Sequence, residues 1–295
     1  MLLNKGISVS YFIRLIKWDL VAIFCYAAVV GTLDHFSFFK NISVSLSIPA
    51  LTGTLLSLLL AFRTSQSYER WWEARIVWGG IVNDSRTLIR QIAQFLPSGE
   101  RKKEVIQQFA IRQSMWCYAL GYRLRKESFP SFLSAYLERE NITGDHLPNA
   151  LLSRHAADLA AVSTEFELNA NIQVQLETTL QRLTDAMGKC ERIKNTIFPR
   201  SYSALIHFLI YVFMTILPFG LDDNNAIVEI ILATLIPCLF IAIERTAILM
   251  QDPFENKPTD TAMTTIAQTI ERNLAEMAGL PVEEKTMASF DYYVM

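Results

Sequence analysis

Residues that mark disulfide-linked, zinc-binding or linker-rich proteins are scarce in this sequence. Its four cysteines include no Cys-x-x-Cys pair, and two of them, Cys25 and Cys238, lie within apolar stretches. We therefore expect reduced, buried thiols rather than a disulfide framework or a zinc site. Glycine (11 residues) and proline (10 residues) are few, and no flexible linker stands out. The formal net charge of −2 gives no sign of a nucleic-acid partner.

Sequence motifs of catalysis are missing as well. The chain contains no Gly-x-Ser-x-Gly, no phosphate-binding loop and no His-Glu-x-x-His. Its histidines form no cluster with the spacing of metal ligands: His35, His146, His155 and His207. Because neither a nucleophile–base pair nor a metal cluster is visible, the sequence predicts a protein that is not an enzyme.

Long apolar runs are what the chain has instead. Hydrophobic residues make up 51% of the sequence. Their excess lies in four spans of about 20 residues, the length that crosses a bilayer as a helix. The first span is interrupted by Asp34 and His35. We expect an all-α membrane protein with four transmembrane helices, at about 19–39, 42–62, 201–220 and 226–250.

Lysines and arginines indicate the orientation of these spans. They flank the first span on its N-terminal side, follow the second and precede the third, whereas the short loops 34–42 and 220–226 carry few or none. Because basic residues favour the cytoplasmic side, both loops are expected outside, with both termini in the cytoplasm beneath an inner (plasma) membrane. The expected segments are 1–62 with transmembrane helices one and two, a cytoplasmic region 63–200, helices three and four in 201–250, and a cytoplasmic C-terminal segment 251–295.

The polar block between the second and third spans has helical periodicity. Apolar residues within 104–124, such as Val105, Phe109 and Met115, recur close to three-to-four spacing, and long alternating strand patterns are absent. Pro130 lies where a helix N-terminus tolerates proline. Helices are therefore predicted at 104–124, 129–140, 147–162 and 171–193.

A few ionisable residues lie in or beside the spans. His207 is in the third span, where it either has a functional role or, as we favour, is a neutral histidine bonded to a neighbouring helix. Glu229 and Glu244 lie toward opposite ends of the fourth span, where we expect them to reach water directly or by snorkelling. Arg70 and Glu73 are three residues apart and could pair on one helix surface.

The second span has two distinct features on its surface. A row at four-residue spacing, Thr54, Leu58 and Phe62, could form a narrow apolar throat around a symmetry axis. The same helix also has small residues that share one face: Ala50, Gly53, Thr54, Ser57 and Ala61. Small residues permit close packing of helices in a membrane, and this is the competing interpretation of the second span. No glycine or proline occurs between Ser57 and Trp78, so the helix is predicted to continue beyond Phe62.

The stretch "LLLAFRTSQSYERWWEAR" (58–75) resembles the signature of the bestrophin family, a pore-helix segment with a phenylalanine followed by Arg-Trp-Trp. Three further stretches resemble the family in the same order, and the similarity covers about 10–280. They are "RTLIRQIAQF" (86–95), like the family's following helix, "QDPFENKPTD" (251–260), where bestrophins carry an acidic segment, and "TIERNLAEM" (269–277), like its bacterial branch.

The resemblance implies a homopentameric ion channel in a lipid bilayer. Five second spans would line a membrane neck at Thr54, Leu58 and Phe62. A second constriction is implied at the cytoplasmic exit, at Ile172 or, in the alternative register, Val174.

The chain departs from the animal members of this family, which are calcium-activated anion channels with aromatic neck rings. Thr54 and Leu58 offer no aromatic edge to an anion. The acidic calcium-binding run is reduced to Asp252, Glu255 and Asp260, with Pro253 where a ligand would be expected. Because calcium needs several oxygen ligands, we expect no required cofactor, and at most weak binding of zinc or calcium at these acids.

The loop "GLDDNNA" (220–226) bears on the permeant ion. Asp222 and Asp223 would place ten carboxylates at the outer mouth of a pentamer, two from each copy, and such a ring attracts cations. The bacterial branch is associated with monovalent cation conduction. We therefore expect a sodium or potassium channel, with an anion channel of the animal type as the alternative. A secondary transporter and a non-conducting membrane scaffold are rival hypotheses.

Overall fold

The computed structural model describes residues 9–36, 44–196, 198–221, 226–282, 289–290 and 293–294. Its architecture is all-helical apart from two short strands near the C-terminus. The helices are α1 (Val9–Phe36), α2 (Ser47–Phe95), α3 (Glu100–Arg125), α4 (Ser131–Arg139), α5 (Leu147–Glu165), α6 (Ala170–Asn195), α7 (Arg200–Ile216), α8 (Ala226–Gln251) and α9 (Met263–Met277). The strands, β1 (Ser289–Phe290) and β2 (Tyr293–Val294), pair antiparallel with Ser289 opposite Val294.

The chain divides into two compact units. One unit, named the apolar-surfaced unit, comprises the described residues within 9–70 and 198–251 and contains α1, α7, α8 and the first part of α2. The second, named the polar-surfaced unit, comprises residues 71–196 and the described residues from 252 onward. It contains the second part of α2 together with α3, α4, α5, α6 and α9.

The apolar-surfaced unit has apolar side chains both inside and outside. Its core joins four helices and consists of Ile23, Leu56, Leu60, Ile206, Ile210, Met214, Cys238 and Ile241. Large apolar side chains such as Val29, Phe208 and Leu239 are also more than half exposed. Such a surface suits a lipid solvent, in which apolar exposure is not penalised.

Two described helices are long and apolar enough to cross a membrane by length and composition. They are α2 and the Ile227–Gln251 stretch of α8. Ser201–Ile216 in α7 is apolar but shorter. The sequence-based number of four spans stays a prediction.

The polar-surfaced unit has the core of a water-soluble helical domain. Its buried residues include Trp78, Phe109, Leu120, Leu183 and Ile270, each fully or almost fully enclosed. Helix α3 packs against α5 and α9, and α5 packs against α6. The predicted helices at 104–124, 129–140, 147–162 and 171–193 correspond to α3, α4, α5 and α6, with ends that differ by a few residues.

Local signals explain several helix ends in this unit. The imidazole Nδ1 of His146 accepts a hydrogen bond from the Asn149 N–H, so His146 caps the start of α5, and Pro148 occupies its first turn. The side-chain oxygen of Asn169 accepts from the Asn171 N–H and caps α6. Helix α3 ends at Arg125, and the next residue, Lys126, adopts a left-handed conformation with φ of 59°.

Helix α2 is longer than the sequence indicated. The prediction that it continues past Phe62 is confirmed, but it also runs through Gly79 and Gly80 to Phe95. Residues 86–95 are therefore part of this helix and not a separate following helix. A side chain at Gly79 or Gly80 would meet no neighbouring atom within 4 Å, so close packing does not require glycine at either position.

The four cysteines are free thiols. The expectation that they are buried is confirmed for Cys117, Cys190 and Cys238 and is wrong for Cys25, which is exposed. Burial raises the pKa of the Cys117 and Cys190 thiols to about 12.

Candidate pore-lining helix and its buried charges

One face of α2 carries the row proposed for the neck. Thr54 is exposed, Leu58 is 54% exposed and Phe62 is 59% exposed in the single chain. A helix rises about 1.5 Å per residue, so neighbouring members of the row are about 6 Å apart along the axis. The Thr54 Oγ1 donates a hydrogen bond to the Ala50 carbonyl of its own helix at 2.9 Å. The row therefore presents a mainly apolar surface that nothing in the described chain covers.

The small residues of α2 do not act as one packing face. Gly53 packs closely within the chain, since a side chain there would come within 3.1 Å of the Phe213 ring of α7. Ser57 and Ala61 are exposed instead, beside Leu58 and Phe62. The packing and the pore-lining interpretations of α2 thus apply to different faces of the helix. Gly53 packs closely within the chain, whereas the face with Thr54, Leu58 and Phe62 is open.

The opposite face of α2 carries a buried arginine. The Arg63 Nη1 donates to the Glu244 Oε1 of α8 at 2.9 Å, and the side chains are 2% and 1% exposed. The guanidinium of Arg63 also lies 5.2 Å from the centre of the Phe198 ring. Because a buried charge is costly without a partner, this pair fixes the rotation of α2 against α8 beside Phe62.

Glu244 has a second partner on α7. The His207 Nε2 lies 3.1 Å from the Glu244 Oε2, and His207 Nδ1 lies 3.0 Å from the Ser203 carbonyl oxygen. The expected contact of His207 with a neighbouring helix is present as a close approach of the two side chains, and the neutral state of the histidine stays a prediction. The expectation that water reaches Glu244 and Glu229 is wrong, because both side chains are almost completely buried.

A second ion pair crosses the same helices. The Arg245 guanidinium of α8 donates to both carboxylate oxygens of Asp19 on α1, at 2.8 and 2.9 Å. Two-point arginine–carboxylate contacts are strong and directional. Together with Arg63, Glu244 and His207, this pair gives each of the four helices at least one charged or titratable contact within the apolar-surfaced unit.

Sequence spacing missed these pairs because the partners are far apart in the chain. Arg63 and Glu244 are separated by 181 positions and Asp19 and Arg245 by 226. The only available signal was the presence of an ionisable residue in or next to an apolar run. The proposed Arg70–Glu73 contact is also wrong, since the Arg70 Nε donates to the Gln251 carbonyl and Glu73 pairs with Arg192.

The two candidates for the cytoplasmic constriction lie at the start of α6. Val174 is 63% exposed, whereas Ile172 is partly buried against the core of the polar-surfaced unit. A ring of side chains that touches ions needs exposed members. Exposure therefore favours Val174, the second choice on sequence grounds, over Ile172.

The acidic segment after α8 already uses its carboxylates within the protein. Asp252 accepts from the Lys194 Nζ at 2.6 Å, and Glu255 pairs with Lys257. Asp260 Oδ2 accepts from the backbone N–H groups of Glu255 and Lys257, at 2.6 and 3.1 Å. Within the described ranges, no group of three His, Cys, Asp or Glu residues is placed to hold a metal ion. The structure thus gives no support to the weak zinc or calcium site expected at these acids.

Asp260 is the most perturbed of these carboxyls. It is 1% exposed, and burial raises its pKa to about 6. Its two backbone donors hold the loop 255–260 closed, which is a structural role. Asp222 and Asp223, expected at the outer mouth, lie outside the described residues.

An apolar surface around paired buried charges, together with helices long enough to span a bilayer, is typical of an all-α membrane protein. The chain belongs to the bacterial and fungal bestrophin family, whose family model, "Bacterial/Fungal Bestrophin protein", matches residues 7–276. The family resemblance found in the sequence is thereby confirmed.

Similar proteins agree with this assignment. A voltage-dependent anion channel-forming protein of Ralstonia nicotianae is 29% identical over 89% of this chain and 87% of its own length. A protein of the same description from Escherichia coli K12 is 27% identical, covering 80% of this chain and 78% of its own. The crystal structure of a bacterial bestrophin homologue from Klebsiella pneumoniae superimposes with a TM-score of 0.82 at 24% identity, covering 90% and 99% of the two chains. That likeness extends the shared fold to nearly the whole chain.

Proposed function

We propose that this chain forms a bestrophin-type ion channel, and not an enzyme, as a homopentamer around a central pore. Family membership over residues 7–276 supports a channel. The observation that carries the pore assignment is the exposed row Thr54, Leu58 and Phe62, which is uncovered in the single chain. Around a symmetry axis, such apolar side chains would form a narrow neck, and a neck of this kind can close the pore by excluding water.

The proposed topology follows from the basic flanks. Residues 1–62 and 201–250 contribute four membrane-spanning helices, and 63–200 and 251–295 lie in the cytoplasm with both termini. The membrane is the inner (plasma) membrane. The second constriction is at the start of α6, with Val174 supported over Ile172 by its greater exposure.

The names of the relatives favour anions as the permeant ions. The curated relatives carry the names of voltage-dependent anion channel-forming proteins, which does not favour the sodium or potassium selectivity expected from the sequence. Phe62 agrees with anion passage, because the positive edge of an aromatic ring can face an anion.

Cation conduction is the second candidate, favoured by one observation. The loop 220–226 contains Asp222 and Asp223 and no basic residue. In a pentamer these residues would form an acidic ring that concentrates cations. Reversal potentials of the purified protein in liposomes under a sodium chloride gradient distinguish the candidates. A shift toward the chloride potential supports anions, and a shift toward the sodium potential supports cations.

The neck is tested by Leu58→Ala. Removing three carbons from each copy widens the throat, so we expect single-channel conductance or open time to rise at least about twofold, because hydrophobic constrictions limit flow by excluding water. Leu239→Ala on α8 is the matched control, since Leu239 has nearly the same exposure, 57% against 54%. Unchanged currents in Leu58→Ala combined with altered currents in Leu239→Ala would contradict the neck assignment.

A further inference from the structure

A cavity in the polar-surfaced unit has the composition of a small-molecule binding site. It lies between α3, α4 and α9 and encloses about 640 Å³. Small organic ligands commonly bind in pockets of about 300–1,000 Å³ that are lined mainly by apolar and aromatic side chains and contain a few polar groups. The lining rows follow helical spacing, with Tyr118 and Tyr122 one turn apart on α3 and Phe132 and Tyr136 one turn apart on α4.

Aromatic rings form much of the wall of this cavity. Phe132 meets Tyr118 edge to face, with 5.1 Å between the ring centres. The Tyr118 hydroxyl donates to the Glu271 Oε2 at 2.7 Å, so its polar end is engaged within the protein. Tyr118 and Tyr136 are buried, whereas Phe132 is 43% exposed, and the cavity therefore reaches solvent at Phe132. Such a wall favours a planar aromatic ligand, because rings attract one another in offset-stacked and edge-to-face arrangements.

Arg139 brings a positive charge to the same wall. Its guanidinium carbon lies 5.3 Å from the centre of the Tyr136 ring, which also lines the cavity. The Arg139 Nε donates to the Glu140 Oε1 at 3.2 Å. Within the described part of the chain, its two terminal amino groups make no hydrogen bond, so they are available to a ligand. A guanidinium can hold a carboxylate through two parallel N–H bonds, which are directional as well as strong.

Two uncharged polar groups complete the lining. The Tyr122 hydroxyl and the Gln268 side-chain amide line the cavity and make no hydrogen bond to any described residue. Both groups can donate and accept, so they can bind polar substituents of a ligand. Thr264 is different, because its Oγ1 already accepts from the Arg125 Nη1 at 2.6 Å.

Two other cavities of this unit lack the same combination. One, of about 650 Å³, lies between α5 and α6, and its described lining includes no aromatic and no basic side chain. The other, of about 510 Å³, has charges of both signs. Several of these are already paired, Lys194 with Asp252 and His146 with Glu191. The cavity between α3, α4 and α9 is therefore the one whose chemistry indicates a particular ligand.

We propose that this cavity binds an aromatic carboxylic acid of one or two rings. The ring system lies against Tyr118, Phe132 and Tyr136, and the carboxylate binds the terminal amino groups of Arg139. A quaternary ammonium ligand, which aromatic rings also attract, would be repelled by Arg139. Binding here is separate from ion conduction, because none of the lining residues belongs to the neck row or to the start of α6.

The first test compares an aromatic acid with its uncharged counterpart. Binding of 6-fluoro-2-naphthoate and of (6-fluoro-2-naphthyl)methanol to the full chain in lipid nanodiscs is followed by ¹⁹F NMR, with empty nanodiscs to subtract partition into lipid. We expect saturable binding of the acid, at least about tenfold tighter than that of the alcohol, because only the acid can pair with a guanidinium. Equal affinities, or no saturable binding of the acid, overturn the proposal.

The second test removes the two recognition elements separately. Arg139→Gln should weaken binding of the acid at least about fivefold and leave binding of the alcohol unchanged. Phe132→Leu should weaken both compounds about threefold, because an aromatic contact is lost. Arg139 and Phe132 are 66% and 43% exposed, so neither substitution opens the core. Arg101→Gln is the matched control, since Arg101 is also a half-exposed arginine paired with glutamate but does not line the cavity. An Arg139→Gln variant that binds the acid as wild type does overturns the proposal.

The third test locates the ligand in the wild-type chain and needs no variant. Helix α4 has nine residues and supplies Phe132, Tyr136 and Arg139 to the cavity. A ligand that bridges α4 to α3 should therefore slow hydrogen exchange of the α4 amides at least about twofold. Amides of α6, which does not line this cavity, should be unaffected by 6-fluoro-2-naphthoate. Protection that appears in α6 and not in α4 places the ligand elsewhere and overturns the proposal.

Discussion

The two units of the molecule place apolar and charged groups in opposite ways. In the apolar-surfaced unit, large apolar side chains face outward while the Arg63–Glu244 pair is almost completely enclosed. In the polar-surfaced unit, tryptophan, phenylalanine and leucine fill the core, and pairs such as Arg101–Glu165 lie at the surface. The difference indicates two solvents. In lipid, a charged side chain is stabilised by a partner inside the helix bundle. In water, a charged side chain can remain hydrated at the surface.

Breaking the enclosed pair should have the largest effect on stability. Glu244→Ala leaves the buried Arg63 guanidinium without its carboxylate, and Arg63→Ala leaves Glu244 with only His207 beside it. Breaking a buried ion pair in this way costs about 3–5 kcal/mol. The double substitution Arg63→Met with Glu244→Leu should recover much of this loss because no charge remains buried. Hydrogen exchange of α2 and α8 amides in detergent-solubilised protein measures the opening free energy. A double variant as unstable as either single one would contradict this explanation.

Matched core truncations in the two units sharpen the comparison. Leu120 on α3 and Leu56 on α2 are both 0% exposed. Leu120→Ala loses packing and the free energy of transfer from water, about 2–5 kcal/mol. Leu56→Ala should cost less, because lipid tails are as apolar as leucine and packing is the main loss. Hydrogen exchange in each unit measures both effects, and equal costs would argue that the two units share one solvent.

The pH dependence of the polar-surfaced unit should contain a contribution from Asp260. Burial raises its pKa from the ordinary value of 3.8 to about 6. Because the folded-state pKa is the higher one, the stabilisation is complete below about pH 4 and is lost as pH rises through 6. A shift of about two units corresponds to roughly 3 kcal/mol at most.

The Asp260→Asn substitution isolates this contribution. The asparagine side-chain oxygen can still accept from the Glu255 and Lys257 N–H groups but does not ionise. We expect the thermal midpoint of wild type to fall relative to this variant between pH 4 and pH 7. A constant difference between the two midpoints over that range would exclude the raised pKa.

The smallest effect is expected at the surface of the polar-surfaced unit. Arg101 and Glu165 are 52% and 41% exposed, so water and salt screen their attraction. Arg101→Ala should leave hydrogen exchange in α3 and α5 unchanged. A measurable loss of protection there would mean that surface charges stabilise this unit more than their exposure allows.

Local pattern was enough to predict most of the helices. Apolar residues at three-to-four spacing located α3, and helices were also predicted where α4, α5 and α6 lie. The absence of glycine or proline between Ser57 and Trp78 predicted that α2 continues past Phe62. Its continuation through Gly79 and Gly80 was not predictable, because a glycine pair lowers helix propensity without forbidding a helix. The length of α2 therefore depends on its packing partners as well as on local preference.

The site was predictable only on the face that has no partner within the described chain. The row Thr54, Leu58 and Phe62 follows from spacing and family resemblance, and its exposure agrees with that assignment. The opposite face depends on contacts between helices distant in sequence. Glu244 looked accessible to water from its position near the end of a span, and only Arg63 from α2 and His207 from α7 explain why it can be buried.

The enclosed thiols make this chain convenient for site-specific labelling. With pKa values of about 12, Cys117 and Cys190 are almost entirely protonated near neutral pH, and burial also denies reagents access. Cys238 is buried as well, so replacing the exposed Cys25 removes the main reactive background. A cysteine introduced at the exposed position 174 could then carry one fluorophore per copy. Counting bleaching steps in single complexes would read out the subunit number directly.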